Sequence, residues 1–317
     1  MKKIILAAMA LAALAACSKE ATVDVNQEVI AFGNAFVNKA TKGATDPSYT
    51  TSSLDAFKVY GAVQGVNIFN GNNVTKGESE YSTEAWSCDG PDQYWVEGAN
   101  YIFDAVVDPT DVVTDQTTGL PITLKYTAAN QTDMLHNRVT TVGQPEDNNG
   151  LVTFEFTHLL SKVKLTVENT SSEQAENYRY TVTDITLTNT YAKGDYAVLD
   201  GTWSNQTVGS FAIPNMTIAS ATTVECEKEV LLIPGASIGI SFKVNAEIEK
   251  TTSEGTTWVT LTTTPVTKSN VVTLAANTAY NFNVSVAIGG QIEFTAKPLP
   301  SWTSEPITVY PEPDTNN

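Results

Sequence analysis

Residues 152–167 read VTFEFTHLLSKVKLTV, and this stretch decides the fold class. Apolar side chains occupy every second position on either side of its centre, with Phe154 and Phe156 before it and Val163 and Leu165 after it. A period of two places the apolar residues on one face of an extended strand. The stretch therefore predicts two β-strands, each with one face in a hydrophobic core.

The same period recurs in residues 238–248 and 281–288, and no long helical period follows residue 20. Segments rich in residues that tolerate a positive φ predict turns at positions 69–71, 147–150 and 200–201. One apolar and one polar face per strand is typical of antiparallel sheets that bury one side. The pattern predicts an all-β protein built from antiparallel β-sandwiches.

A break at residues 157–161, between the two strands of the opening stretch, predicts the domain organisation. We expect a signal peptide at 1–16, an N-terminal segment at 17–53, an N-terminal β-sandwich domain at 54–157 and a C-terminal one at 158–317. Since the junction is too short for a flexible linker, the two halves are expected to pack on each other.

Composition argues against several classes of function. The 317 residues carry a formal net charge of -17, which disfavours binding to nucleic acid or to anionic lipid headgroups. Two histidines and three cysteines offer no zinc-ligand spacing. We expect neither a serine nucleophile elbow nor a phosphate-binding loop. The sequence thus predicts no enzyme activity, no metal, no cofactor and no nucleic-acid partner.

The N-terminus has the pattern of an export signal. Two lysines precede an apolar run at residues 4–16, which is too short to span a bilayer and right for a secretory signal. The run ends in Leu-Ala-Ala before Cys17, which resembles the lipobox of bacterial lipoproteins. This implies cleavage before Cys17 and a lipid, with palmitate among its acyl chains, on the sulfur. The alternative is a plain signal peptide with a chance cysteine.

The other two cysteines, Cys88 and Cys226, lie far apart in the sequence, in a polar turn and a charged segment. They could pair outside the cytoplasm, but two unpaired thiols are the preferred prediction. Neither has the cationic neighbours that would make it a reactive thiolate.

Both ends of the mature chain carry an isolated strand candidate. Near the N-terminus, Ile30 and Phe32 are the prominent apolar residues, and a loose polar stretch follows at 38–53. Near the C-terminus, Ile307 and Val309 alternate with polar residues between two prolines. The plainer alternatives are a permanent first strand and a frayed or docked tail.

Three further groups of residues could carry chemistry. His158 lies at the junction and is expected to be a hydrogen-bonded structural residue rather than a base. A carboxylate cluster does not match calcium-loop spacing, so a solvated loop is expected; it comprises Asp104, Asp108, Asp111 and Asp115. Tryptophans could form a sugar-stacking platform but are expected to fill cores or interfaces; they are Trp86, Trp95, Trp203, Trp258 and Trp302.

Several stretches, in order, resemble the fimbrillin family, the subunits of type V pili. They are LDAFKVYG at 54–61, IFNG at 68–71, YWVEGANYIF at 94–103, FEFTHLLSKV at 154–163, and the C-terminal segments 274–280 and 292–296 with Trp302. Each motif alone is weak, but the ordered set with a lipobox is fairly specific.

The resemblance implies two tandem transthyretin-like β-sandwiches and export as a lipoprotein to the outer membrane. A protease then removes the N-terminal segment with its strand, and a strand from a neighbouring pilus subunit replaces it. Carried onto this sequence, the resemblance assigns a removable plug, a donor strand and candidate cleavage positions. The plug is Ile30 and Phe32, and the donor strand contains Ile307 and Val309. The candidate cleavage positions are Lys39 and Lys42.

One feature departs from the family, whose well-known members are cut after arginine, because no arginine precedes Arg138. Either a protease that accepts lysine cuts at Lys39 or Lys42, or the subunit stays uncleaved, as a basal anchor could. We expect a structural, adhesive pilus subunit. The alternative is a monomeric surface lipoprotein that binds glycan through exposed aromatic residues.

Overall fold

The computed structural model describes residues 28–37, 54–77, 85–146, 148–170, 178–219, 226–286 and 292–299. Within these ranges the chain forms eighteen β-strands and two short 3₁₀ turns, which confirms the prediction of an all-β protein. None of the described segments forms a helix of the length and apolar character needed to cross a membrane.

The strands, numbered in chain order, have the following bounds. They are β1 Phe32–Val37, β2 Ala56–Val63, β3 Val66–Thr75, β4 Ala85–Cys88, β5 Asn100–Val107, β6 Asp111–Thr114, β7 Pro121–Thr127, β8 Leu135–Val142, β9 Val152–His158, β10 Ser161–Asn169, β11 Tyr178–Ala197, β12 Thr202–Ile213, β13 Met216–Ala219, β14 Cys226–Leu232, β15 Ser237–Thr252, β16 Gly255–Thr273, β17 Thr278–Val286 and β18 Ile292–Pro298.

The N-terminal strands close into a barrel in the order β1-β4-β3-β2-β5-β8-β9. Its interior is rich in aromatic side chains because β2, β5 and β9 each turn an apolar face inwards. The buried aromatic residues of this barrel core are Phe32, Phe57, Phe69, Trp86, Trp95, Tyr101, Phe103, Phe154 and Phe156. The first strand, β1, completes the ring by joining β4 to β9.

The C-terminal strands form two sheets that share one core. One sheet has the order β14-β10-β17-β18, and the other has the order β16-β15-β11-β7-β6, with β12 and β13 also paired to β11. Leu165 and Phe282 from the first sheet pack in the same cluster as Leu187, Ile240 and Phe242 from the second. The alternating residues predicted from 163–167, 238–244 and 282–286 are thus buried as expected.

One hairpin crosses between the two halves of the chain. Strands β6 and β7 lie in the N-terminal half of the sequence, yet β7 pairs antiparallel with β11 from Lys193↔Thr127 to Ala197↔Thr123. A third core contains Leu124 from this hairpin, Val106 from the barrel and Leu231 from β14. The halves therefore pack on each other as expected, while the domain division at 157–161 stays a prediction.

The turn predictions had mixed outcomes. Asn149, Gly150 and Gly201 adopt positive φ angles of 57°, 76° and 64°, as the turn sequences predict. The turn predicted at 69–71 is wrong, because this segment lies inside β3. There, Gly71 has a φ of 77° and the register against β2 shifts, so the residue forms a bulge. A Cβ on Gly71 would lie 3.0 Å from the Tyr60 hydroxyl.

Gln131 joins the halves by capping the edge of β14. Its side-chain amide donates to the Leu231 carbonyl at 2.9 Å and accepts from the Leu231 N–H at 2.9 Å, in the manner of a neighbouring strand. We expect Gln131→Ala to lower the free energy of unfolding by about 1–3 kcal/mol, because both backbone groups lose a partner. Chemical denaturation measures this. Gln116→Ala, at an exposed residue of the β6–β7 turn, is the control, and equal effects of the two changes would contradict the prediction.

Glu168 gives the C-terminal sandwich an acid-sensitive contact. Hydrogen bonds from Ser285 Oγ (2.6 Å) and Asn283 Nδ2 (2.8 Å) hold the pKa of the Glu168 carboxyl below its usual value of 4.5. Since the folded pKa is the lower one, this contact stabilises the fold above the unfolded pKa. Its contribution is lost as pH falls through the folded pKa.

We therefore expect Glu168→Gln to lower the melting temperature at neutral pH, and this deficit to shrink as pH falls through the folded pKa of the Glu168 carboxyl. Thermal unfolding followed across this pH range measures both. Glu254→Gln, at the exposed tip of the β15–β16 hairpin, is the control. A melting-temperature deficit that does not shrink in acid would show that the carboxylate contact is not responsible.

Candidate functional site: the slot filled by the first strand

The backbone of residues 28–31 is held on both sides. The Ile30 N–H donates to the Gln93 carbonyl at 2.7 Å, and the Trp95 N–H donates to the Glu28 carbonyl at 2.9 Å. On the other side, the Val152 N–H donates to the Ala31 carbonyl at 2.9 Å. The segment thus enters the barrel already paired to two neighbours.

Strand β1 continues between β4 and β9. It pairs antiparallel with β4 at Phe32↔Trp86, and parallel with β9 from Phe32↔Val152 to Val37↔Phe156, with one irregularity in register. Without β1, the edges of β4 and β9 would both carry unpaired N–H and C=O groups. The two pairings define a slot, which we call the β1 slot, with β4 and β9 as its walls.

The side chains of β1, and of Ile30 just before it, fill the floor of the slot. Ile30 is 4% exposed and Phe32 is fully buried. The Phe32 ring lies 5.3 Å from the ring of Phe69, 5.9 Å from Phe103 and 6.0 Å from Phe154, measured between centroids. Burying a phenylalanine contributes about 1.5–3 kcal/mol, and each aromatic contact adds about 0.5–1.5 kcal/mol. Phe32 is thus a central member of the barrel core.

The other predicted site residues fall outside the described residues. These are Cys17, Lys39, Lys42, Ile307 and Val309. The sequence places both lysines between the end of β1 and Leu54, where the description resumes. A cut at either lysine would leave β1 attached to the rest of the protein by non-covalent contacts alone.

Cys88 lies on β4, the wall of the slot, and is unpaired. Burial, and then the Asp89 carboxylate, raise the pKa of the Cys88 thiol to about 12. The raised pKa disfavours the thiolate while the barrel is closed, in line with the prediction that Cys88 is not a reactive thiolate. The described side chains do not include that of Cys226.

Asp104 departs from the predicted solvated loop. It lies on β5 with its side chain fully buried, and it accepts from Arg138 Nε and Nη2 on β8 at 2.9 and 2.7 Å. His136 Nε2, also on β8, lies 2.8 Å from the same carboxylate. The solvated-loop prediction is wrong for Asp104, because the outer face of β5 is covered by the third core. The signal was available: Ile102 and Val106 flank Asp104 on that face.

Asp111 and Asp115 each interact with residues close to them in the structure. Asp111 forms an exposed ion pair with Lys125 at 2.8 Å, and Asp115 accepts hydrogen bonds within its own turn, from the Thr118 N–H among others. Among the described residues, histidine, cysteine and acidic side chains form no group able to hold a metal ion. His158 Nδ1 lies 2.8 Å from Asp133, which confirms the hydrogen-bonded junction residue.

The described tryptophans do not form a platform. Trp86 and Trp95 are each 6% exposed in the barrel core. Trp203 packs against Tyr196 at 5.6 Å between ring centroids, and Trp258 lies under the guanidinium of Arg179 at 4.3 Å. Trp86 and Trp95 are thus core residues and Trp203 packs against the third core, as predicted, while Trp258 packs against Arg179.

One serine motif in the sequence bears on the prediction that the chain has no nucleophile elbow. Residues 235–239 read GASIG, which has the Gly-x-Ser-x-Gly spacing of a nucleophile elbow. Such an elbow requires a sharp turn from a strand into a helix. Here Ser237 is the first residue of strand β15, and its carbonyl accepts from the Asn189 side chain at 2.7 Å. The motif is therefore the start of a strand and gives no serine nucleophile.

Fold and site together define a β-rich protein in which the first described strand completes a barrel core. Residues 38–297 match a family model described as fimbrillin-like, and the chain belongs to this family. Membership of this family indicates a pilus-type subunit at the cell surface. No curated protein matches the chain significantly.

Solved structures share the fold at low sequence identity. A fimbrial protein from Bacteroides vulgatus is 15% identical with a TM-score of 0.56, and the match covers 86% of this chain and 98% of that one. A candidate cell adhesion protein from Bacteroides uniformis is 18% identical with a TM-score of 0.50, at 86% and 98% coverage. Another from Bacteroides ovatus is 14% identical with a TM-score of 0.50, at 88% and 99% coverage.

Proposed function

We propose that this chain is a structural subunit of a cell-surface pilus that assembles by strand exchange at the β1 slot. In this proposal the barrel and the C-terminal sheets correspond to the two tandem transthyretin-like sandwiches of the family. The observation that carries it is the position of β1, a short segment at the N-terminal end of the described chain whose Phe32 lies at the centre of a core.

Loss of β1 would expose an apolar floor and two unpaired strand edges. An extended segment from another subunit would form backbone hydrogen bonds with both strand edges. Its alternate side chains would fill the apolar floor. Each subunit then receives a strand at one site and donates one from another. Such head-to-tail contacts do not close on themselves and so build a filament.

The remaining steps follow the sequence. Cys17 carries the lipid that anchors the precursor to the outer membrane, and a protease cuts after Lys39 or Lys42 to free Ile30 and Phe32. The C-terminal segment with Ile307 and Val309 is the donor strand for the next subunit. The chain then moves from the membrane to the fimbrium, where it acts mechanically and not as an enzyme.

N-terminal sequencing of the chain recovered from sheared surface filaments tests this function. The expected result is incorporation into the filament, with a new N-terminus directly after Lys39 or Lys42. A Lys39→Gln/Lys42→Gln variant should remain in the membrane fraction with residues 17–37 attached, and Cys17→Ser should leave that fraction. A chain that is absent from filaments, or that enters them with β1 still attached, would contradict the proposal.

A further inference from the structure

We infer that the β1 slot selects a donor strand with an aliphatic residue, an aromatic residue two positions later and a small residue three positions after that. We further infer that the subunit filling the slot is a different protein from this chain. Both inferences rest on the proposed strand exchange and specify its partner. They follow from three buried residues, Ile30, Phe32 and Ala35, and from the sequence of the chain's own C-terminal segment.

Three buried positions in residues 30–35, one just before β1 and two within it, define the shape of the slot. Ile30 fills an aliphatic position, Phe32 a fully buried aromatic position, and Ala35 a fully buried position with room for a small side chain. The spacing between the last two is three because the register of β1 against β9 shifts between Gly33 and Phe36. A replacement strand that pairs as β1 does must place its side chains at the same spacing.

The aromatic position is the most demanding of the three. Rings of Phe69, Phe103 and Phe154 surround Phe32 with centroids 5.3–6.0 Å away, and each comes from a different strand. A valine there would leave part of this space empty, and a buried void is costly because the surrounding side chains collapse only partly. A polar group would be buried without a partner.

The chain's own C-terminal segment, residues 305–314, reads EPITVYPEPD. With Ile307 at the Ile30 position, Val309 takes the place of Phe32 and Glu312 takes the place of Ala35, which would bury a carboxylate in the barrel core. Pro311 and Pro313 would also remove two backbone donors from the strand.

Two further registers, shifted towards the C-terminus, also fit poorly. Shifting by one residue places Thr308 and Tyr310 in the two large positions and buries a phenolic hydroxyl among three phenylalanine rings. Shifting by two residues places Pro311 in the aromatic position and Asp314 in the small one. The segment therefore suits the slot of a different subunit better than the slot of a second copy of this chain.

Peptide exchange on the whole protein tests the inference. A site-specific protease sequence placed within residues 38–53 allows the purified Cys17→Ser chain to be cut between β1 and β2. A labelled peptide of residues 28–37 then reports exchange by fluorescence anisotropy, and unlabelled peptides compete with it. The competitors are residues 28–37, the same peptide with Phe32→Val, residues 305–314, and that peptide with Val309→Phe and Glu312→Ala. A scrambled 28–37 peptide is the control.

We expect Phe32→Val to weaken competition at least tenfold, and Val309→Phe with Glu312→Ala to strengthen the C-terminal peptide at least tenfold. If either change has no effect while the 28–37 peptide exchanges, the inferred selectivity is wrong and strand exchange stands. If the native C-terminal peptide competes as well as the 28–37 peptide, the inferred foreign partner is wrong. If no peptide enters the cut protein, strand exchange itself fails.

Discussion

Replacing Phe32 with alanine is expected to destabilise the barrel by about 3–5 kcal/mol. The side chain is fully buried and contacts three phenylalanine rings from β3, β5 and β9, so its removal leaves a cavity where these strands meet. This effect is large compared with the whole stability of a typical domain, about 5–15 kcal/mol. Phe32→Ala should therefore open the β1 slot in a measurable fraction of molecules.

Cys88 supplies the measurement for this change. Its thiol is half-buried on β4 with a raised pKa, and opening of the barrel should expose the thiol and bring its pKa back towards the usual range. In a Cys17→Ser/Cys226→Ser background, alkylation of Cys88 at pH about 8 should be at least tenfold faster in Phe32→Ala. Tyr94→Ala is the control, because Tyr94 bridges to Val29 but is 48% exposed. Equal alkylation rates for the two variants would show that Phe32 does not hold the slot closed.

The second large effect is expected from Asp104→Asn, which should lower the free energy of unfolding by about 3 kcal/mol. The carboxylate is fully buried and receives two hydrogen bonds from Arg138, so its neutralisation leaves the guanidinium without its counter-charge. Breaking a buried ion pair by removing one partner typically costs about 3–5 kcal/mol. Part of the Arg138 side chain reaches solvent, at 24% exposure, which favours the lower end of that range.

The matched control is Asp111→Asn, because Asp111 also pairs with a basic residue on a neighbouring antiparallel strand. Its ion pair with Lys125 is exposed, with side-chain exposures of 58% and 44%. Exposed pairs contribute little, so chemical denaturation should show no measurable change for this variant. A comparable loss of stability in both variants would mean that burial of Asp104 is not the cause.

The sequence was most informative where alternation marks a single buried face. The strands around Phe154 and Leu165 were predicted from their period, and they form β9 and β10 with those residues buried. Alternation identifies the face that is buried but not the strand that pairs with it. For this reason, neither the parallel pairing of β1 with β9 nor the closure of the barrel was apparent from the pattern.

Three other features of the fold were not predicted from the sequence. Strand β5 reads NYIFDAVV and is apolar on both faces around Asp104, which was a sign that a second layer covers it. The pairing of β7 with β11 joins segments about seventy residues apart, and no local propensity encodes such a register. The turn predicted at Gly71 is a bulge instead. Glycine permits the same positive φ in a turn and inside a strand, so the residue type does not distinguish the two.

The crossing hairpin bears on how a fibre would respond to tension. A pulling force applied through a strand in the β1 slot has to pass from the barrel to the C-terminal sheets. It can travel through the direct link at residues 158–161, and also through β6 and β7, which are hydrogen-bonded into the second sheet beside β11. Two parallel mechanical routes would resist hinging between the halves, so the subunit should extend as one stiff segment and yield first at the exchanged strand.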